Sequence, residues 1–219
     1  MINLIGLIRV FTAKDNEVLQ AHGNMIQEQF EVPVMSRSIP DQPLGIYDDA
    51  SEEAALPKIV ELGIQMEQEG CRLLIVSCAA DPGVRELRSR VSIPVIGAGS
   101  SAALVALSLG EPVGLMGITE GIPPVMKVLL DELIVGYSRP EGVTNTTDLM
   151  TEAGRQKALE GARSLVEKGA KAIVFACTGF STIHFADVIR KDLQVPVVDI
   201  VEAEGLMAAN YYKQIISAS

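Results

Sequence analysis

Apolar residues along this chain follow two spacings. Short, nearly continuous runs of Val, Ile, Leu and Ala lie at 2–10, 32–36, 72–77, 93–96, 113–118, 134–137, 171–176 and 195–199. Longer stretches lie between them, at 15–30, 51–69, 82–90, 100–109, 123–133, 151–168, 182–191 and 203–216, where apolar positions return every three or four residues. The first spacing predicts strands buried on both faces; the second predicts amphipathic helices. Strand and helix alternate throughout, which predicts parallel sheets covered by helices on both sides.

The pattern also repeats. "EQEGCRLLIVSCAAD" (67–81) lies over "VEKGAKAIVFACTGF" (166–180) at an offset of 99, so that Gly70 to Cys78 and Gly169 to Cys177 are the same distance. "SIPVIGAGSSAALVAL" (92–107) lies over "QVPVVDIVEAEGLMAA" (194–209) at an offset of 102. "LIGLIRV" (4–10) lies more loosely over "PVGLMGI" (112–118). The chain therefore reads as α/β, with two pseudo-symmetric Rossmann-like lobes. Each is a parallel four-stranded sheet flanked by helices, with a cleft between the lobes. The expected division is 1–98 with 205–219 for the first lobe and 99–204 for the second. No Gly/Ser-rich linker separates them, so the lobes are expected to pack closely.

Composition narrows the function. The 219 residues carry a formal charge of -10, and the basic residues are scattered. Nothing here would neutralise phosphates, so nucleic acid and acidic membrane surfaces are excluded as expected partners. Three cysteines do not suggest a disulfide framework. Cys71 and Cys78 share one extended run and lie roughly 23 Å apart along it, too far to bridge. The apolar N-terminus reads as a strand and not a signal peptide, and no run of about 20 apolar residues exists. A cytoplasmic protein acting on a small molecule is expected, with a homo-oligomer left open.

Cys78 and Cys177 both fall where a strand hands over to a helix. Ligands of open parallel sheets bind beyond the carboxyl ends of the strands. A helix N-terminus there would lower a thiol's pKa. Its N–H groups, those of Ala79 and Ala80 after the first cysteine and of Thr178 and Gly179 after the second, could hold an anion. Two equivalent thiols facing one cleft suit inversion of a carbon centre, which needs a base on one face and an acid on the other. The plain alternative is that both are small buried strand-end residues.

The elements "SCAADPG" (77–83), "IPVIGAGSS" (93–101), "ACTGFS" (176–181) and "VPVVD" (195–199) resemble the aspartate/glutamate/hydantoin racemase superfamily over nearly the whole chain, nearest its hydantoin racemase-like branch. The resemblance implies two Rossmann-like lobes, no cofactor, and Cys78 and Cys177 as acid and base. It departs in "RVFTAKDN" (9–16), where hydantoin racemases usually carry an Asn-Pro-Asn-Thr type segment. The Cys-Thr-His of amino-acid racemases is here Cys-Thr-Gly.

Other signals remain double-sided. Arg9 is either a cleft cation or a paired core arginine. Thr119 is either a substrate donor or a helix cap. Tyr47 either covers the cleft or packs on the surface. Ser100 and Ser101 are expected to line the cleft. "GAGSSA" (97–102) also fits a dinucleotide fingerprint, which keeps a nucleotide-binding module as a rival. His22 and His184 read as structural, Cys71 as core, and no metal-ligand cluster is found. The expected function is racemisation of a hydantoin-type substrate by two-cysteine proton transfer. The alternatives are an aspartate/glutamate racemase and a maleate isomerase-like enzyme using a cysteine as nucleophile.

Overall fold

The structure, a computed structural model, describes residues 4–217, without the side chains of Thr146 and Thr147. Positions 2 and 3 of the first expected strand lie outside the described residues. The first half runs β1 (Leu4–Arg9), α1 (Asn16–Phe30), β2 (Val34–Ser38), α2 (Asp49–Gln68), β3 (Cys71–Ser77), α3 (Val84–Arg88), β4 (Val95–Gly97) and α4 (Ala98–Leu109). The second runs β5 (Val113–Met116), α5 (Pro124–Leu130), β6 (Ile134–Ser138), α6 (Glu152–Glu167), β7 (Ala172–Phe175), α7 (Gly179–Thr182), α8 (Phe185–Leu193), β8 (Val197–Val198) and α9 (Ile200–Ser217).

These strands form two parallel four-stranded sheets, ordered β2-β1-β3-β4 and β6-β5-β7-β8. The two orders are the same permutation, so the internal repeat of the sequence is a repeat of topology. Gly70 and Gly169 end the helices before β3 and β7 with the same φ of 101°, a conformation that side chains resist. In each sheet the chain reverses its direction of winding between the two central strands. That reversal leaves a crevice at their carboxyl ends.

The lobes exchange helices. α4 leaves the first sheet and packs on α5 and β7; α9 leaves the second and packs on α1 and β3. Where they meet, α4 presents Ala98, Ala102, Ala103 and Ala106, and α9 presents Ala203, Ala208 and Ala209, all buried. Small side chains let the two helices approach closely. One core then runs from Ile5 and Leu73 in the first sheet to Val113 and Ile173 in the second. A second cluster, which includes Cys71, fills the space between the first sheet and α2.

One expected helix, 182–191, is broken. His184 takes φ 52° between α7 and α8. Phe180 and Phe185 flank the break, and both rings stack near Phe175, with centroids 5.0 and 6.5 Å away. Residues five apart point about 140° apart on a continuous helix, so the break is what turns both rings inward. Among the described residues, no helix is long and apolar enough to cross a membrane.

Candidate active site

The two crevices open into one cavity of about 720 Å³. Its floor comes from the ends of the central strands: Arg9 as the last residue of β1, Ser77 as the last of β3 with Cys78 following, Ile118 and Thr119 after β5, and Ala176 and Cys177 after β7. Cys78 and Cys177 occupy matching turns. The Asp81 N–H donates to the Cys78 carbonyl at 3.1 Å, and the Phe180 N–H to the Cys177 carbonyl at 3.4 Å. Each turn also aims an amide at its own sulfur: that of Ala80 at Cys78, and that of Gly179 at Cys177 Sγ, 3.4 Å away. Ala79, Ala80, Thr178 and Gly179 all line the cavity, as expected of the residues that follow each thiol.

The expected lowering of the Cys78 pKa does not occur. Burial pushes the Cys78 thiol up to about 12, and the nearby Cys177 adds to the shift. The helices after the two turns are single turns, Val84–Arg88 and Gly179–Thr182. The aligned dipoles of so few peptides cannot offset desolvation. Burial thus holds Cys78 toward its thiol form, and among the described residues the Ala80 amide is the one that favours its anion.

Ser100 and Ser101, expected in the cleft, point elsewhere. The N-terminus of α4 is filled by the carboxylate of Asp81, which accepts the Gly99 and Ser100 N–H groups at 2.7 and 3.0 Å. The Ser100 and Ser101 hydroxyls both donate back to the Gly97 carbonyl. This also answers the dinucleotide fingerprint. A Cβ on Gly97 would strike the Asp81 carboxylate, and one on Gly99 would strike the Ala79 carbonyl. The glycines make room for the Cys78 loop, and the anion site a pyrophosphate would use is already occupied. In the second lobe Asp199, the residue matching Gly97, does the same work from the position just before α9, accepting the Val201 N–H at 2.8 Å.

Arg9 combines both of its readings. It lines the cavity yet is 4% exposed. Its Nη1 donates to the Val18 and Leu19 carbonyls at 2.8 and 3.2 Å, and its guanidinium stacks 4.9 Å over the Phe11 ring. Burial lowers its pKa to about 10 against the opposing pull of Glu204. Thr119 lines the cavity without capping α5; its hydroxyl donates to the Gly121 carbonyl at 2.8 Å, while Tyr137 Oη donates to the Thr119 carbonyl at 2.9 Å. Tyr47 forms part of the wall with Leu44 and Ile46. His184 is exposed.

His22 was legible only as a helical residue, and Glu204 carried no signal of its own. The fold brings both beneath the cavity floor. His22 is fully buried, with Nδ1 2.8 Å from Ser77 Oγ and Nε2 2.9 Å from Thr182 Oγ1. Ser77 Oγ lies 2.7 Å from Glu204 Oε1, also fully buried. Burial drives the His22 pKa well below its ordinary value and raises that of Glu204 to about 8. Among the described residues, no group of three His, Cys, Asp or Glu is placed to hold a metal ion.

The chain is 30% identical over 171 residues to a hydantoin racemase of a Pseudomonas species, covering 74% of this chain and 66% of that one, just under two thirds of its length. Its fold matches an allantoin racemase from Klebsiella pneumoniae, with TM-score 0.80, 20% identity, and coverage of 99% of this chain and 88% of that one. A glutamate racemase from Bacillus anthracis shares it at TM-score 0.70 and 16% identity, over 97% and 82% of the two chains. The sequence model of the Asp/Glu/hydantoin racemase family matches residues 11–205, and the chain belongs to that family.

Proposed function

We propose that the protein is a cofactor-independent racemase or epimerase that inverts a carbon centre of a hydantoin-type cyclic ureide by two-cysteine proton transfer. The observation that supports this reading is that Cys78 and Cys177 sit in matching turns and both line one cavity. One cysteine, as thiolate, takes the α-proton. The electron pair moves into the adjacent carbonyl to give an enolate, and the thiol on the other face returns a proton to carbon. The thiolate and thiol have then exchanged roles. With its raised pKa, Cys78 starts as the acid. On this reading amides of the two turns, with Thr178, donate to the developing oxyanion.

The cavity favours a neutral ring over an acidic amino acid. Its lining includes Asp49, Glu52 and Glu120 against Arg9 and Arg139. Arg9 is held by α1 carbonyls, and Arg139 Nε donates to the Val143 carbonyl at 3.1 Å. A substrate dicarboxylate would thus meet like charges and engaged cations. Phe11, Leu44, Ile122 and Met150 supply apolar wall for a ring substituent.

The test is a panel of L- and D-5-substituted hydantoins and of aspartate and glutamate in deuterated water, with chelator and without added pyridoxal phosphate. Inversion with incorporation of one solvent deuteron is expected for hydantoins. Inversion of the amino acids alone would replace the substrate, and a requirement for an added cofactor would overturn the mechanism.

A further inference from the structure

The buried chain Glu204–Ser77–His22–Thr182 connects the two cysteine-bearing turns beneath the cavity floor. Ser77 precedes Cys78; Thr182 and Thr178 follow Cys177, and Ser77, Thr178 and Thr182 all surface in the cavity. Neither Glu204 nor His22 does. Glu204 Oε2 is one of two buried side-chain oxygens among the described residues without a hydrogen-bond partner. A carboxylate would not be left half-solvated in this way at no cost, whereas a carboxylic acid needs only one good contact.

The distances admit two orders of hydrogens. In the first, Glu204 is protonated and donates to Ser77 Oγ, Ser77 donates to His22 Nδ1, and His22 Nε2–H points at Thr182 Oγ1. Thr182 in turn donates to the Thr178 carbonyl, 3.4 Å away. In the second, Glu204 is ionised and every link is reversed: Ser77 donates to Glu204, His22 Nδ1–H to Ser77, and Thr182 to His22 Nε2. Going from the first to the second moves one proton per link. Glu204 gives its proton to Ser77, Ser77 gives its own to His22 Nδ1, Nε2 gives its proton to Thr182, and Thr182 releases one to water in the cavity. No link gains or loses a net proton except Glu204.

We propose that Glu204 is the buried proton store of this cavity, and that through Ser77 and His22 it sets which way the hydroxyls beside both cysteine turns point. This rests on reading the cavity as a site of proton transfer. Glu204 and His22 act as positioning residues; neither touches substrate. The charged and titratable groups facing Glu204 are Arg9 from β1, Asp81 from the turn after β3, Asp199 at the start of α9 and His22 from α1. Arg9 favours its ionisation and the two aspartates oppose it, while burial dominates both, so the store discharges near pH 8.

The test reads the imidazole directly. Full-length ¹⁵N-labelled protein carrying His184→Asn leaves His22 as the sole histidine, and asparagine tolerates the positive φ at that position. Its ring ¹⁵N shifts are followed from pH 6 to 10 alongside the ¹³C shift of the Glu204 carboxyl. His22 is expected to stay neutral and to exchange the Nε2–H for the Nδ1–H tautomer, with one midpoint near pH 8 shared with the carboxyl. Glu204→Gln should hold a single tautomer across the range. A fixed tautomer in the parent, separate midpoints for the two groups, or an unchanged switch in Glu204→Gln overturns the proposal. Should the glutamine variant not fold, the coincidence of midpoints in the parent decides alone. In parallel, the racemisation pH profile of the parent should carry a limb at that midpoint, absent from Glu204→Gln. A tautomer switch in a protein that inverts no substrate would sink the racemase reading and leave the store standing. Inversion without a switch would do the reverse.

Discussion

Two cysteines in equivalent turns are not equivalent residues. The first lobe places the Arg9 guanidinium at the end of its first strand. The second has Gly117 at the matching position, where a Cβ would strike Tyr137 Oη. The matching strand ends thus carry a cation in one lobe and pack against a phenol, which feels Cys177, in the other; on the proposed mechanism the two proton transfers should differ in rate. Changing either Cys78 or Cys177 to alanine should lower racemisation by at least about 10²–10⁴-fold, the usual worth of general acid–base catalysis. Each variant should keep α-deuterium exchange with only the enantiomer whose proton faces the surviving thiol. Loss in both variants of the same enantiomer's exchange, measured by NMR, would contradict the two-face assignment. The pairing of cysteines was legible because "GCRLLIVSC" and "GAKAIVFAC" keep register. The raised Cys78 pKa was not, because desolvation depends on what the fold packs around the turn.

At the scale of elements, the Cys78 turn is held by a neighbour's helix. Asp81 reaches across to cap α4, and Gly99 lets α4 approach the Ala79 carbonyl. Asp81→Ala should cost about 0.5–2 kcal/mol, the usual loss for a helix cap. Gly99→Ala should cost about 1–3 kcal/mol as an overpacked contact. It should also reduce turnover further than Asp81→Ala, since it displaces the backbone that carries Cys78, and misplacement of about 1 Å can cost 10²-fold. Thermal melts and racemisation rates of the two variants check this; an active, fully stable Gly99→Ala protein would show that the turn is not set by this contact. The glycines and the aspartate were both visible in the sequence. Their partnership was not: the two are 18 residues apart and meet only because β3 and β4 are neighbours.

For the whole molecule, the buried pair Glu204 and His22 makes stability depend on pH from both sides. Glu204 binds a proton in the folded state that the unfolded chain releases above its ordinary value of 4.5, so its contribution is complete below that pH and is lost as pH rises to about 8. His22 refuses a proton that the unfolded chain accepts below about 6.5; its contribution is present above that pH and lost as pH falls. Denaturant titrations should therefore show stability falling from both sides. The Glu204 share of the alkaline loss is at most about 1.4 kcal/mol per pH unit, and it should vanish in Glu204→Gln. An unchanged slope in that variant would mean that Glu204 is not protonated in the folded protein.

Periodicity and repetition in the sequence determined the number and order of strands, the two parallel sheets and the register that pairs Cys78 with Cys177. They could do so because strand burial and helix amphipathicity are local patterns, and because the same pattern is written twice. The tertiary structure alone decided which polar groups meet at and beneath the cavity floor. Arg9, His22, Ser77, Thr182 and Glu204 come from five separate segments of chain. They meet because α9, formed at the far end of the sequence, packs back onto α1 and β3, bringing Glu204 to His22 and Ser77. A pKa or a hydrogen-bond order set by such a meeting has no local signature, since it arises from the exclusion of water by parts of the chain that are distant in sequence.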